Sequence, residues 1–102
     1  MTDPSFVQFE TAARAQGFDE VLERQWAPDT FLDTHTHPFA VSARVVDGEF
    51  WLIVGDQERH LRAGDSFELD ADVPHAERYG PQGARYWVAR RSRPAAPAAP
   101  AA

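Results

Sequence analysis

This chain of 102 residues is predicted to form an all-β domain, an antiparallel sandwich or barrel, with a short helical turn near its N-terminus. Two features predict that fold class. Turn signals recur at short intervals through residues 30–91, and no helical pattern appears in the stretches between them. Short strands at such spacing are typical of sandwiches and barrels.

The first elements are a helical turn and a strand. Residues 11–16 are predicted as one or two helical turns, with Thr11 as the cap and Gly17 as the stop. Residues 21–26 are predicted as a strand, and the Pro-Asp pair at 28–29 marks the turn that follows it.

Four turn signals divide the central region. Asp47-Gly48 is the strongest, because this dipeptide favours a two-residue hairpin, which would pair Val45 with Phe50. The other three signals are Gly55-Asp56, Ala63-Gly64-Asp65 and Gly80-Pro81-Gln82-Gly83.

Two short motifs contain residues of the kinds that bind metals. His35 and His37 form a His-x-His pair, and His75 and Glu77 form a His-x-Glu pair. Side chains two apart on a strand point to the same face, so two neighbouring strands would bring all four groups together. Three imidazoles and one carboxylate suit a divalent transition metal such as Fe, Mn, Ni, Cu or Zn.

Each motif also has a simpler interpretation. Single histidines are usually structural or exposed, but two imidazoles on an otherwise apolar face need partners when buried. Glu77 could instead pair with an arginine such as Arg78 or Arg85. His60 is predicted to lie on the surface, because Leu61 is the inward-facing neighbour.

The face that carries the histidines is otherwise apolar. The residues expected to line a substrate pocket there are Phe39, Val41, Phe50 and Leu52. Trp51 and Ile53 would lie on the opposite, outer face. An apolar outer patch on so short a chain favours a homodimer, although the N-terminal segment could cover Trp51 instead.

Composition limits the classes of function. The net charge of −6 argues against nucleic-acid or anionic-membrane binding, and the absence of cysteine excludes disulfides and thiolate ligands. No signal peptide or membrane-spanning run is apparent, so we expect a cytoplasmic protein. Residues 94–102 contain only proline and alanine and are predicted as a disordered tail, which leaves residues 1–93 as a single domain.

At residues 25–90 the chain resembles the cupin family, whose fold is a double-stranded β-helix, or jelly-roll barrel. The first cupin block is matched by His35, His37 and the turn glycine Gly48; the second is matched by Gly64 and His75. The resemblance implies a small barrel that holds a metal.

The departures from the family pattern concern the metal ligands. Val41 stands where the first cupin block has its glutamate, and it has no donor atom. Glu77 is placed to replace that carboxylate. The resulting ligand pattern is similar to that of pirin and its bacterial relatives, a cupin subgroup that includes enzymes oxidising flavonols with dioxygen.

Two hypotheses about function follow. The first is a metal-dependent enzyme, of oxygenase or isomerase type, that acts on an apolar or aromatic small molecule. The second is a non-catalytic module that senses a metal or a small molecule. Turnover that is lost on chelation would distinguish the first from the second.

Overall fold

The computed structural model describes residues 4–92 and confirms an all-β fold with one N-terminal helix; the predicted tail lies outside the described residues. The elements are α1 (Pro4–Ala15), β1 (Glu20–Trp26), β2 (Phe31–His35), β3 (Phe39–Val54), β4 (Gln57–Arg62), β5 (Ser66–Leu69) and β6 (His75–Ser92). The helix of this described part is not long and apolar enough to cross a membrane.

Two long strands, β3 and β6, organise the barrel. They pair with each other antiparallel along almost their whole lengths, with register shifts on both sides of Gly48. The first part of β6 also pairs with β2, and its second part pairs with β1. β3 pairs with β5 before the shifts and with β4 after them. Each long strand therefore passes from one four-stranded half of a jelly roll into the other.

The predicted hairpin at Asp47-Gly48 is wrong, because β3 continues through it. Val45 pairs with Tyr86, and Phe50 pairs with Leu61 and Tyr79. Gly48 has a φ of +77°, and a Cβ built on it would meet the carbonyl oxygen of Gly83 at 2.2 Å. The glycine therefore allows close approach of two bent strands rather than reversal of one.

Of the other three predicted turns, two form and one does not. Gly55-Asp56 joins β3 to β4 in a two-residue hairpin, and residues 63–65 join β4 to β5, as predicted. Residues 80–83 do not form a turn between strands, because they lie within β6 where that strand bends. Long-range pairing of β3 with β6 overrides the local turn preference at both bends.

The helix is longer than predicted. It begins at Pro4, a residue well suited to the first turn of a helix, and ends at Ala15, before Gly17 with its φ of +96°. Phe6 and Phe9 contact the ring of Trp87 on β6, at centroid distances of 5.6 and 5.9 Å. The helix therefore covers the outer face of β6.

The helix contacts Trp87, and Trp51 has other partners. Its ring stacks on His60, 4.4 Å between centroids, and the guanidinium of Arg78 lies 4.4 Å from its centroid. His60 is exposed, as predicted, and also contacts Glu49 at 2.7 Å.

A buried aromatic and aliphatic core fills one end of the barrel. It includes the inward-facing residues of both halves of β3, together with Leu61, Phe67, Tyr79 and Tyr86. Phe50 is fully buried and stacks on Tyr79 at 4.9 Å. This packed end supports the open end of the barrel, where the histidines lie.

Candidate metal centre and cavity

Three histidines converge at the open end of the barrel. His35 ends β2 and lies opposite His75, the first residue of β6, in the antiparallel register. His37 lies in the connection between β2 and β3. One ring nitrogen from each histidine lies within 4.8 Å of the others. The structure thus brings together the three imidazoles that the sequence motifs indicated.

Backbone carbonyls fix the orientation of two of these rings. Nδ1 of His35 lies 2.6 Å from the carbonyl oxygen of Asp33, and Nδ1 of His75 lies 2.9 Å from that of Val73. A carbonyl oxygen only accepts, so each Nδ1 carries the proton and donates it. In the neutral ring, Nε2 is then left with a free lone pair, which is the form that binds metals.

His37 is held differently. Its ring stacks on Phe39 with 4.9 Å between centroids. Burial lowers the pKa of His37 below its ordinary value, and electrostatic repulsion from His35, His75 and two arginines lowers it further. Its imidazole is therefore neutral near neutral pH, as a metal ligand must be.

Glu77 is buried beside the cluster. Its Oε2 lies 3.6 Å from Nε2 of His35 and 3.6 Å from Nε2 of His75. The two arginines suggested as alternative partners are engaged elsewhere: Arg78 pairs with Glu58 and Arg85 with Glu23. The carboxylate therefore faces the histidines, as the His-x-Glu motif indicated.

A hydrogen-bonded network supports this carboxylate, and no sequence motif indicated it. The hydroxyl of Tyr79 donates to Oε1 of Glu77 and lies 3.5 Å from the hydroxyl of Tyr86. Trp26 donates its indole N–H to Tyr86 at 3.1 Å. Burial raises the pKa of both tyrosines, so both hydroxyls stay protonated. The available signal was the alternation of His75, Glu77 and Tyr79 along one face of a strand.

A cavity of about 420 Å³ opens beside the histidines. Its apolar walls come from both halves of the barrel: Trp26, Phe31, Leu32, Val41, Phe67, Leu69 and Val88. Two guanidinium groups, those of Arg24 and Arg90, also line it. Its size and largely apolar lining are those of a site for a small molecule.

The expected pocket residues occupy different places. Val41 lines the cavity, whereas Phe50 and Leu52 are buried in the core. The reason is their position along β3: Val41 lies near the start of the strand and reaches the cavity, whereas Phe50 and Leu52 lie beyond the bend at Gly48 and pack into the core. Phe39 lies against His37 and the guanidinium of Arg90 instead of on the cavity wall.

The donor set fits a transition metal. Two ligand atoms that each lie about 2.1 Å from one ion can be at most about 4.2 Å apart. The 3.6 Å separations between Oε2 of Glu77 and two imidazole nitrogens satisfy that limit. His35, His37 and His75 would hold the metal; the group of three does not include Glu77, whose Oε2 lies beside two of its members.

The family model described as the cupin domain matches residues 24–80, more than half of the chain. No curated protein matches it significantly. Among solved structures, an RmlC-like cupin from Shewanella frigidimarina NCIMB 400 is 24% identical with a TM-score of 0.61, over 72% of this chain and 67% of that one.

Two similar structures are of enzymes. The DMSP lyase DddQ from Ruegeria pomeroyi DSS-3 is 20% identical with a TM-score of 0.66, over 76% of this chain and 40% of that chain. An oxalate oxidase in complex with the substrate analogue glycolate is 24% identical with a TM-score of 0.61, over 71% and 41%. These likenesses concern the fold, and the match to the family model identifies the family: the chain belongs to the cupins.

Proposed function

We propose that this cupin binds a divalent transition metal at its histidine cluster and acts as a metal-dependent enzyme, of oxygenase or isomerase type, on a small molecule held in the adjacent cavity. The observation that supports this most strongly is the convergence of three imidazole nitrogens within 4.8 Å beside a cavity of about 420 Å³. A bound metal supplies Lewis acidity and open coordination positions at this place.

The chain's own residues would contribute in two ways. A small molecule bound against the apolar walls would displace water from the histidine cluster, which would strengthen electrostatic interactions there. Glu77 presents Oε2 to the imidazoles while Tyr79 holds Oε1, so Oε2 is the oxygen available either to bind the metal or to hold a proton during the reaction. The lyase and the oxidase are similar only in fold, so they indicate no substrate for this chain.

Metal content tests the first half of the proposal. Elemental analysis of protein purified without a chelating tag should find Fe, Mn, Ni, Cu or Zn in stoichiometric amount. The double variant His35→Ala, His37→Ala should lose it. His60→Ala is the matched control, because His60 lies on the surface beside Glu49 and Trp51. Equal metal content in the double variant and the parent would contradict the proposed site.

Turnover tests the second half. Dioxygen consumption and product formation are measured with a panel of apolar and aromatic small molecules, before and after chelation. Activity that is lost on chelation and restored by the metal would support an enzyme. Metal binding without turnover of any compound would favour the non-catalytic sensor module.

A further inference from the structure

Two cationic side chains of the cavity have no part in the histidine cluster. Arg24 lies on β1 opposite Tyr86, and Arg90 lies on β6 opposite Glu20 of β1 and Val41 of β3. Alternation along β6 puts Arg90 on the same face as Tyr86, which also lines the cavity. The pairing of β1 with β6 thus places two guanidinium groups on one inner wall.

Arg24 has no carboxylate partner among residues 4–92. Its guanidinium lies against the ring of Trp26, with 4.9 Å between Cζ and the ring centroid. A guanidinium that stacks on an aromatic ring can still donate its N–H groups to an acceptor beside the ring.

Arg90 is only partly paired. Its Nη1 lies 3.3 Å from Oε1 of Glu20, whose side chain is 58% exposed, so this ion pair contributes little. Its Nε is buried and has no hydrogen-bond partner in the described part of the chain. A buried N–H without an acceptor is costly. Because this Nε is closed to solvent, a molecule in the cavity would reach the terminal N–H groups of Arg90, which donate charge-assisted hydrogen bonds to carboxylates.

The acidic residues of the cavity do not neutralise these arginines. Asp33 is exposed, and its Oδ1 accepts the backbone N–H of Thr34. Glu77 is engaged by Tyr79 and faces the histidines. The positive charges of Arg90 and Arg24 help to lower the pKa of His37, although burial and the other two histidines contribute more.

We infer that the cavity binds a small molecule that carries a carboxylate on an apolar or aromatic body, with Arg90 and Arg24 holding the carboxylate. The inference rests on the proposed function, since it takes this molecule to be the one presented to the histidine cluster. The body of the molecule contacts the apolar walls, among them Trp26, Phe67 and Val88. The planar fork of arginine matches the two oxygens of a carboxylate better than an ammonium does.

Calorimetry with matched probe pairs tests this inference. Benzoate and benzamide, phenylacetate and phenylacetamide, and acetate and acetamide are titrated into the full chain, both loaded with Zn²⁺ and metal-free. We expect at least one carboxylate to bind about tenfold or more tightly than its amide. Arg90→Met and Arg24→Met should each weaken carboxylate binding about ten- to a hundredfold and leave amide binding unchanged, as for loss of a charge-assisted hydrogen bond.

Arg62→Met is the matched control, because Arg62 is exposed on β4 and does not line the cavity. It should bind the carboxylates as the parent does. If a methionine variant fails to fold, Arg90→Lys or Arg24→Lys replaces it, and loss of the planar fork should still weaken binding severalfold.

The inference is overturned if no carboxylate binds more tightly than its amide, or if the variant lacking both arginines binds as the parent does. The two proposals fail separately. Metal binding without a carboxylate preference would remove this inference alone. Arginine-dependent carboxylate binding in a chain that takes up no metal would remove the proposed metal function and keep the carboxylate site.

Discussion

Tyr79 donates its hydroxyl proton to Oε1 of Glu77, the residue two positions earlier on the same strand. Both side chains are buried, with residue exposures of 2% and 7%. Because one carboxylate oxygen is held in this way, the other faces His35 and His75 at 3.6 Å. The orientation of the carboxylate at the histidine cluster therefore depends on a phenol that no metal-binding motif includes.

Tyr79→Phe should lower the free energy of unfolding by about 1–3 kcal/mol, because a buried carboxylate oxygen would lose its donor. Urea unfolding of the metal-free protein near neutral pH measures this. Tyr86→Phe is the comparison, since it leaves the bond between Tyr79 and Glu77 in place and should cost less. Equal stability of Tyr79→Phe and the parent would show that the bond contributes nothing.

Gly48→Ala should destabilise the barrel by more than about 3 kcal/mol, since its Cβ would meet the Gly83 carbonyl oxygen at 2.2 Å and its φ is +77°. Gly64→Ala is the control: its φ is also positive, but nothing lies within 4 Å of the added Cβ. It should cost only the backbone strain, about 1–2 kcal/mol. Thermal unfolding of both variants measures these losses of stability. Similar losses for Gly48→Ala and Gly64→Ala would mean that the close contact between β3 and β6 at Gly48 relaxes easily.

These residues show which parts of the fold could be predicted from the sequence. The two-residue period of a strand was sufficient to place His75 and Glu77 on one face, because that relation is local, whereas His35 meets them only because β2 pairs with β6. The Asp47-Gly48 signal failed because a positive-φ glycine can serve a turn or a close approach, and only the pairing of β3 with β6 decides between them.

The cavity required still longer-range information. Arg24 and Arg90 reach one wall only because β1 pairs with β6. Most of the barrel lies between these two residues in the sequence. The alternation of side chains within β1 or within β6 therefore does not relate one arginine to the other. The same pairing brings the indole of Trp26 to Tyr86.

Acid should destabilise the metal-free protein partly through His37. Burial lowers the pKa of His37 below its ordinary 6.5, so below that pH the unfolded chain binds more protons than the folded one, and stability falls as the pH is lowered. His37→Gln should therefore lose less stability than the parent between about pH 7.5 and about pH 5.5. Melting temperatures across that range measure the difference, and parallel curves would contradict the assignment.

The outer face of β3 is proposed as a homodimer contact. Trp51 and Ile53 are only half-buried, although Trp51 is partly covered by His60 and Arg78. Sedimentation at concentrations on the order of tens of micromolar should show a dimer, with a melting temperature that rises with concentration. Ile53→Glu should shift it to monomer, whereas Val7→Glu, on the helix, should not. A parent that sediments as a monomer would remove this proposal.

The role of Glu77 in metal binding can be separated from that of the histidines. Val41, at the usual cupin glutamate position, has no donor atom and lines the cavity. Glu77→Gln keeps the size of the side chain and removes its charge, and it should weaken metal affinity about ten- to a hundredfold. Val41→Glu in that background should recover part of the loss, because it returns a carboxylate to the cavity wall. Competition titration with a chelating dye measures both affinities. If Glu77→Gln binds the metal as tightly as the parent, the metal site is formed by the three histidines alone, and Glu77 becomes the candidate for proton transfer.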